Sequence, residues 1–282
     1  MVRQGHQSAG LELYDMEGIY SNVVIGTPIL RQGAYILNKF LDNQKQIQEN
    51  YPSSELVLAT SEEDFTEVLE KFVSSWKLKS KVLLHKVVKP NYARSNIWDI
   101  TCGREAIRKY VVSETVAKYL LFLDADMIFE PSVIQTMERA IQGYDAAFSG
   151  YPLRSYGIGL AGNGCVMLTR SILEKIKLRC YEFKNGEVIF EDNLLEMDLF
   201  RSGSRVKKGF FLSIHHYISA TESRSITPQS VGILRKIANC AFVRYILIST
   251  SIIIQHNIPW KLKVLLSSFR GAVEKRSHTD QI

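Results

Sequence analysis

The strongest chemical signal in the chain is Asp124-Ala125-Asp126. Two carboxylates flanking a small residue can hold a divalent cation and leave positions open for water and phosphate. Mg2+ and Mn2+ favour such hard oxygen ligands and complete their shells with substrate phosphates. Any bare Asp-x-Asp is more often a solvated turn, but here the five preceding residues, Tyr119-Leu-Leu-Phe-Leu123, are apolar or aromatic. That run reads as a buried strand ending abruptly in two acids. Open α/β sheets bind ligands beyond the carboxyl ends of their strands, and a cation relieves the like-charge cost of neighbouring acids. Three further groups stand out: a glycine-rich run ending in Gly162-Asn163-Gly164, the pair Glu191-Asp192, and the adjacent His215-His216. Glu191 and Asp192 precede an apolar helical pattern, where a helix macrodipole also favours acids. Successive strand residues point to opposite faces, so only one of the two histidines can face a given site.

The elements that must position these groups alternate. Residues 22–28 read as a strand stopped by Gly26 and Pro28, residues 33–50 as a helix, and 55–59 as a second strand. A helix to about residue 76 follows, with Ser61 as its cap and Asp64 three residues later. Residues 81–88 form a third strand, 98–115 a helix and 119–123 the strand carrying the acids. Strand–helix alternation predicts a parallel α/β sheet with crossover helices. Pro131 opens the next helix, 146–150 and 165–168 are strands, and Ser171 caps a short helix. Residues 206–217 are expected to form one final strand carrying both histidines.

The chain has 282 residues, of which 46% are hydrophobic and 23% charged, enough for a sizeable core and too apolar for a disordered or low-complexity protein. Its net charge of +6 suits phosphate-bearing ligands or an anionic surface. No basic stripe with interleaved aromatics accompanies it in the first 220 residues, so no nucleic-acid partner is expected. Cys102, Cys165, Cys180 and Cys240 lie far apart, which argues against a zinc site or a disulfide framework. Residues 1–20 are polar and mixed, without a signal-peptide core, and read as a poorly ordered lead-in. The longest apolar stretch, 241–254, is interrupted by Arg244 and falls short of the roughly 20 residues a spanning helix needs. From residue 228 to 282 the chain is basic and helical in pattern, and 230–272 twice mixes Lys, Arg and Trp with apolar residues in a way that suits a membrane interface. A cytoplasmic protein with peripheral membrane contact through 230–272 is the corresponding expectation.

The segment 119–131, with its two acids, resembles the Asp-x-Asp strand of glycosyltransferases of the GT-A fold, family 2 in particular. Other pieces resemble the family in the same order across about residues 20–220: the first strand with Thr27-Pro28, Arg104 20 positions before Asp124, the Gly162–Arg170 loop and strand, Phe190-Glu191-Asp192, and the strand ending in His216-Tyr217. Some of them also resemble mannan-polymerase-type mannosyltransferases. The resemblance implies a Rossmann-like donor half (21–130) and an acceptor half (131–220) around one mixed sheet, with a helical appendage at 228–282. It implies an enzyme moving a sugar from a UDP- or GDP-sugar to a hydroxyl of a glycan, glycolipid or protein-linked acceptor, with Mn2+ or Mg2+ as cofactor. Asp126, Asp124 and one of His216 and His215 would attend the metal, His216 being preferred. Thr27, Pro28, Ser61, Arg104, Asp124 and Ala125 would line the donor site, with Arg104 near the diphosphate or the base. Gly162, Asn163 and Gly164 would allow close backbone approach to the acceptor sugar, Asp192 would be the general base of an inverting transfer, and Glu191 would orient the acceptor. The mannosyltransferase likeness leaves retention of configuration open. The second strand ends in Ala59-Thr60-Ser61-Glu62 rather than the family's Asp-Asp-Gly-Ser turn, which leaves UDP and GDP as alternatives. The Gln-x-x-Arg-Trp motif of processive synthases is missing, which implies single transfers. A nucleotidyltransferase and a non-catalytic nucleotide- or glycan-binding module on the same fold are the competing readings.

Overall fold

The computed structural model describes residues 21–154, 158–159 and 162–228, with the single positions 246 and 249. The chain divides into two units, Met1–Val231 and Gly232–Ile282, and the elements below belong to the first. The expected lead-in and, apart from positions 246 and 249, the segment 230–272 with its membrane reading lie outside the described residues. No helix among the described residues is long and apolar enough to cross a membrane.

In chain order the elements are β1 (Val23–Pro28), α1 (Leu37–Asn50), β2 (Ser54–Thr60), α2 (Glu63–Ser75), β3 (Ser80–Leu84), α3 (Ile97–Glu114), β4 (Tyr119–Leu123), β5 (Met127–Phe129) and α4 (Val133–Ile141). The second half adds β6 (Ala146–Ser149), β7 (Tyr151–Pro152), β8 (Ile158–Gly159), β9 (Cys165–Thr169), α5 (Arg170–Leu173), β10 (Tyr181–Glu182), β11 (Val188–Ile189), α6 (Glu191–Arg201), β12 (Val206–Gly209), β13 (Ile214–Tyr217) and β14 (Ser223–Ile226). Seven strands form one sheet in the order β12-β6-β9-β4-β1-β2-β3. The pairs β4-β1, β1-β2, β2-β3 and β12-β6 are parallel, while β9 runs antiparallel to both β4 and β6. The expected α/β class is therefore present as a mixed sheet.

The sheet is buried on both faces, which is why β1 and β4 read as continuous apolar runs rather than alternating ones. Phe40, Phe65 and Met137 from α1, α2 and α4 pack on one face. Ile107, Ile172, Leu195 and Leu199 from α3, α5 and α6 pack on the other. The chain runs from β1 outward through β2 to β3, then returns to place β4 on the other side of β1. The strand order reverses there, and the carboxyl ends of β1 and β4 open the crevice where such sheets bind ligands. The Thr27 hydroxyl donates 2.7 Å to the Leu123 carbonyl and ties the two strand ends together.

Several local expectations are corrected. The stretch 206–217 is two strands: β12 ends the large sheet, while β13 pairs with β14 and β5 in a separate three-stranded sheet. Phe210 and Phe211 pack against the core between them, so the apolar character that reads as one strand is that of a packed connection. Ser61 does not cap α2; its hydroxyl instead donates 2.8 Å to Asp99 at the start of α3. Ser171 lies inside α5 and Thr169 is the residue at the cap, without a side-chain capping bond. Asn43 on α1 acts as a strand neighbour for β5: its amide bonds both the N–H and the carbonyl of Phe129 (2.9 and 2.8 Å). That contact anchors the sheet that carries His216.

Candidate active site

A cleft of about 650 Å³ opens at the β1–β4 reversal. Asp124, Ala125 and Asp126 form its floor, Pro28 and the turn after β1 one wall, and Asn163-Gly164 with Phe190-Glu191-Asp192 the opposite wall. Residues separated by up to 188 positions in sequence, from Pro28 on β1 to His216 on β13, thus meet at one cleft.

Arg104 is the internal tie. It sits on the buried stripe of α3 with Ile97, Thr101, Arg108 and Val111, a spacing that puts all five on one helix face. Its Nη2 donates to Asp124 Oδ1 and its Nη1 to Glu191 Oε1. One guanidinium therefore fixes a carboxylate from the floor and a carboxylate from the opposite wall. Two of its three guanidinium nitrogens are so occupied.

Asp126 is held differently. Its Oδ2 accepts from Arg154 Nη2 and lies 3.3 Å from His216 Nε2. His216 Nδ1 stands 2.5 Å from the Pro152 carbonyl, which can only accept, so that nitrogen carries a proton. In the neutral ring Nε2 then turns a lone pair toward a carboxylate, and the two acceptors call for a positive charge between them. Burial opposes the charged form of each, but the mutual contact outweighs it: His216 is raised above the ordinary histidine range and Asp126, aided by Arg154, is lowered below the ordinary carboxylate range. A carboxylate and an imidazole so arranged fit a divalent cation. Among the described residues no three His, Cys, Asp or Glu side chains are gathered into a metal-holding group. A cation here would take its other ligands from substrate oxygens and water, as Mg2+ usually does.

The strand alternation separates the histidines. His216 is 4% exposed and lines the cleft. His215 is exposed, its Nδ1 2.7 Å from the Ser225 hydroxyl, and it does not line the cleft. Of the two rings, His216 is the one that faces the cleft. Thr27, Ser61 and Gly162 also stand outside the cleft lining, whereas Pro28, Arg104, Asp124, Ala125, Asp126, Asn163, Gly164, Glu191 and Asp192 belong to it. Thr27 is turned into its strand clamp and Ser61 toward Asp99.

The two glycines stand against a packed aromatic side chain. A Cβ on Gly162 would fall onto the Tyr151 hydroxyl, and one on Gly164 would come within 2.9 Å of Asp124 Oδ2 and of Tyr151 Cζ. Both glycines make room for Tyr151, whose buried phenol is pushed up by burial and then by the charges of Asp124 and Asp192. Tyr151 is thus packed between the floor and the wall that carries Asn163 and Gly164. Gly162→Ala is expected to destabilise the protein by about 1–3 kcal/mol, the usual cost of overpacking. Thermal melts check this: Tyr151→Phe in the Gly162→Ala background removes the clashing oxygen and should recover part of the loss. Equal melts for the single and double variants would contradict it.

Three cleft residues, Arg104 through its Nε, Asn163 and Glu191, carry buried polar atoms without hydrogen-bond partners among the described residues. Asn163 is 2% exposed, and neither end of its amide has a hydrogen-bond partner. Glu191 Oε2 is likewise unpartnered. Buried polar groups are rarely left so, and a ligand bearing hydroxyls would satisfy a donor and two acceptors at once.

Beside the cleft, His85 Nε2 lies 3.0 Å from the Asp99 carbonyl and so carries the ring proton, while Nδ1 is buried without a partner. Burial lowers the His85 pKa. A group depressed in the folded state binds its proton more readily when unfolded, so the protein should lose stability as pH falls through and below the ordinary value near 6.5. Comparing urea unfolding of wild type and His85→Gln at pH 7.5 and 5.5 isolates this contribution: the difference in stability should shift toward the variant at low pH. A pH-independent difference would contradict it.

Arg154 and Tyr35, both in the cleft, were not anticipated from sequence. Neither lies in a motif: Arg154 follows β7 on the far side of the glycine-rich run, and only the pairing of β13 with β5 brings Asp126 and His216 to it. Arg104 had a usable signal, an arginine on an otherwise buried helical stripe.

No protein-family model matches the sequence, and no curated protein matches it either. Solved structures do show similarity. A mannosyltransferase from Pyrobaculum calidifontis, PcManGT, solved with GDP-Man and Mn2+, aligns with 68% of this chain at 9% identity and a TM-score of 0.48. This chain spans 56% of its length. S. aureus TarS 1-349, solved with UDP-GlcNAc, aligns with 75% of this chain and 62% of its own at 13% identity and a TM-score of 0.47. The inositol-1-phosphate CTP transferase of T. maritima aligns with 79% of this chain and 96% of its own at 10% identity and a TM-score of 0.44.

Proposed function

We propose that this chain is a GT-A-type glycosyltransferase that moves a single sugar from a nucleotide-sugar donor to a hydroxyl acceptor. One observation carries the reading: Arg104 joins Asp124, at the end of the central strand, to Glu191, beside Asp192 on the opposite wall. That arrangement sets a pair of acids suited to a metal-bound diphosphate against a pair suited to an acceptor hydroxyl, across one cleft.

In this reading the donor diphosphate lies over Asp124 and Asp126, with its nucleoside toward Pro28 and the turn after β1. Asp126 and His216 would hold a divalent cation, Mn2+ or Mg2+, which when bound neutralises the charge on the departing diphosphate. Asn163 and the free oxygen of Glu191 hydrogen-bond sugar hydroxyls. Asp192, whose Oδ1 accepts 2.7 Å from the Asn193 N–H at the start of α6, is the base. It takes the proton of the acceptor hydroxyl as that oxygen forms its bond to the anomeric carbon. The bond from that carbon to the diphosphate oxygen breaks, and its electron pair leaves with the diphosphate. Attack from the side opposite the leaving group inverts the anomeric configuration.

The competing nucleotidyltransferase reading calls for a basic phosphate loop after β1. Arg31, the basic residue of that turn, is engaged with Asp64 at 2.6 Å and does not line the cleft. The test is a panel of UDP- and GDP-sugars incubated with Mn2+ or with EDTA, in wild type and Asp126→Ala, with nucleoside diphosphate release recorded. Metal-dependent release from one donor, lost in the variant, is the expected result. Release of pyrophosphate from a nucleoside triphosphate instead would overturn the reading in favour of nucleotidyl transfer.

A further inference from the structure

The cleft contains a cation of its own at the oxygen best placed to receive another. Arg154 Nη2 bonds Asp126 Oδ2, the same oxygen that faces His216 Nε2, and lies 3.5 Å from the Tyr35 hydroxyl. Tyr35 in turn donates 2.7 Å to the Tyr217 carbonyl. The two ends of the ion pair differ in freedom: the Asp126 side chain is 11% exposed and that of Arg154 57%. The carboxylate is held in place, and the guanidinium is the partner with room to leave. A guanidinium and a divalent cation on one carboxylate oxygen repel at contact, so each weakens the other's hold on it. Around the cleft, Asp124, Asp126, Glu191 and Asp192 set four carboxylates against the two guanidiniums of Arg104 and Arg154. Arg104 is fixed between two acids, which leaves Arg154 as the exposed guanidinium among the described residues of the lining. A planar guanidinium exchanges a carboxylate for a phosphate readily, since both offer paired oxygens.

We propose that Arg154 is a displaceable counter-ion. It pairs with Asp126, yields that oxygen to a divalent cation, and moves its guanidinium onto the donor's diphosphate. The inference rests on the nucleotide-sugar reading and adds a residue to it.

Calorimetry on the full chain tests this with probes that do not depend on turnover. In the first arm Mn2+ alone is titrated into nucleotide-free protein. Arg154→Gln should bind it about tenfold more tightly than wild type, the scale of one charge-assisted hydrogen bond. Asp126→Asn should abolish the gain, which places the ion at that carboxylate. In the second arm UDP and GDP are titrated at saturating Mn2+, where the displaced Arg154 is free to meet the diphosphate; Arg154→Gln should weaken binding about tenfold. Arg154→Lys keeps the charge without the paired donors and should fall between the two. Unchanged or weaker Mn2+ binding by Arg154→Gln, with nucleotide binding intact in wild type, overturns the displacement and leaves the functional reading standing. Failure of wild type to bind either nucleotide with Mn2+ overturns the functional reading and the diphosphate role with it.

Discussion

Asp192→Asn should leave nucleotide binding in place and lower sugar transfer by about 10²–10⁴-fold, the usual contribution of a positioned general base. The substitution keeps the size of the side chain and its ability to accept from the Asn193 N–H. It removes only the capacity to take a proton. Asp192 stands in the first turn of α6, where a helix favours a negative charge, and it reaches the cleft on the wall opposite Asp126. A donor-hydrolysis assay and an acceptor-transfer assay on the same preparation separate its role from that of the metal-side acids. Loss of transfer with unchanged nucleotide affinity supports a base. A variant with near-normal transfer would move the chemistry away from Asp192 and toward a retaining reaction.

The second large effect is on stability. Arg104→Met should destabilise the protein by about 3–5 kcal/mol, the cost of stripping one partner from a buried ion pair. The side chains of Arg104 and Glu191 are 6% and 4% exposed, so Glu191 would be left a buried charge without its counter-ion. Asp124, 28% exposed, retains some access to water and suffers less. For a domain of this size the loss corresponds to a fall in Tm of roughly 10 °C. Glu191→Gln in the Arg104→Met background removes the stranded charge and should recover part of the fall. A simple sum of the two single losses would show that Arg104 and Glu191 are not coupled and that the tie across the cleft is not what holds the walls.

Much of this arrangement was visible in the sequence because it rests on local patterns. The apolar run into Asp124 marks β4 by composition alone, and the alternation of strands and helices through residue 123 follows from periodicity. Asp124, Asp126, Glu191 and Asp192 are visible because acids at the ends of apolar runs contradict their surroundings. The remainder depends on tertiary pairing. The antiparallel insertion of β9 between β4 and β6 brings Asn163 and Gly164 to the floor, and nothing local in their sequence specifies it. The break between β12 and β13 was hidden because Phe210 and Phe211 keep the apolar pattern through a connection that crosses from one sheet to another. Ser61 looked like a cap because its position suits one, yet Asp99 offered its hydroxyl a better partner across 38 positions. Arg154 was invisible for the opposite reason: its meaning comes entirely from the carboxylate it meets.

The most direct measurement is calorimetric titration of UDP and GDP into the full chain with and without Mn2+, alongside Asp126→Ala. A nucleotide-sugar cleft of this design should bind one nucleoside diphosphate in preference to the other, more tightly with Mn2+ than in EDTA, and the metal-dependent gain should vanish in the variant. Absence of binding by either nucleotide under all conditions would contradict the glycosyltransferase reading, and binding that ignores both Mn2+ and Asp126 would contradict the role assigned to the acids at the end of β4.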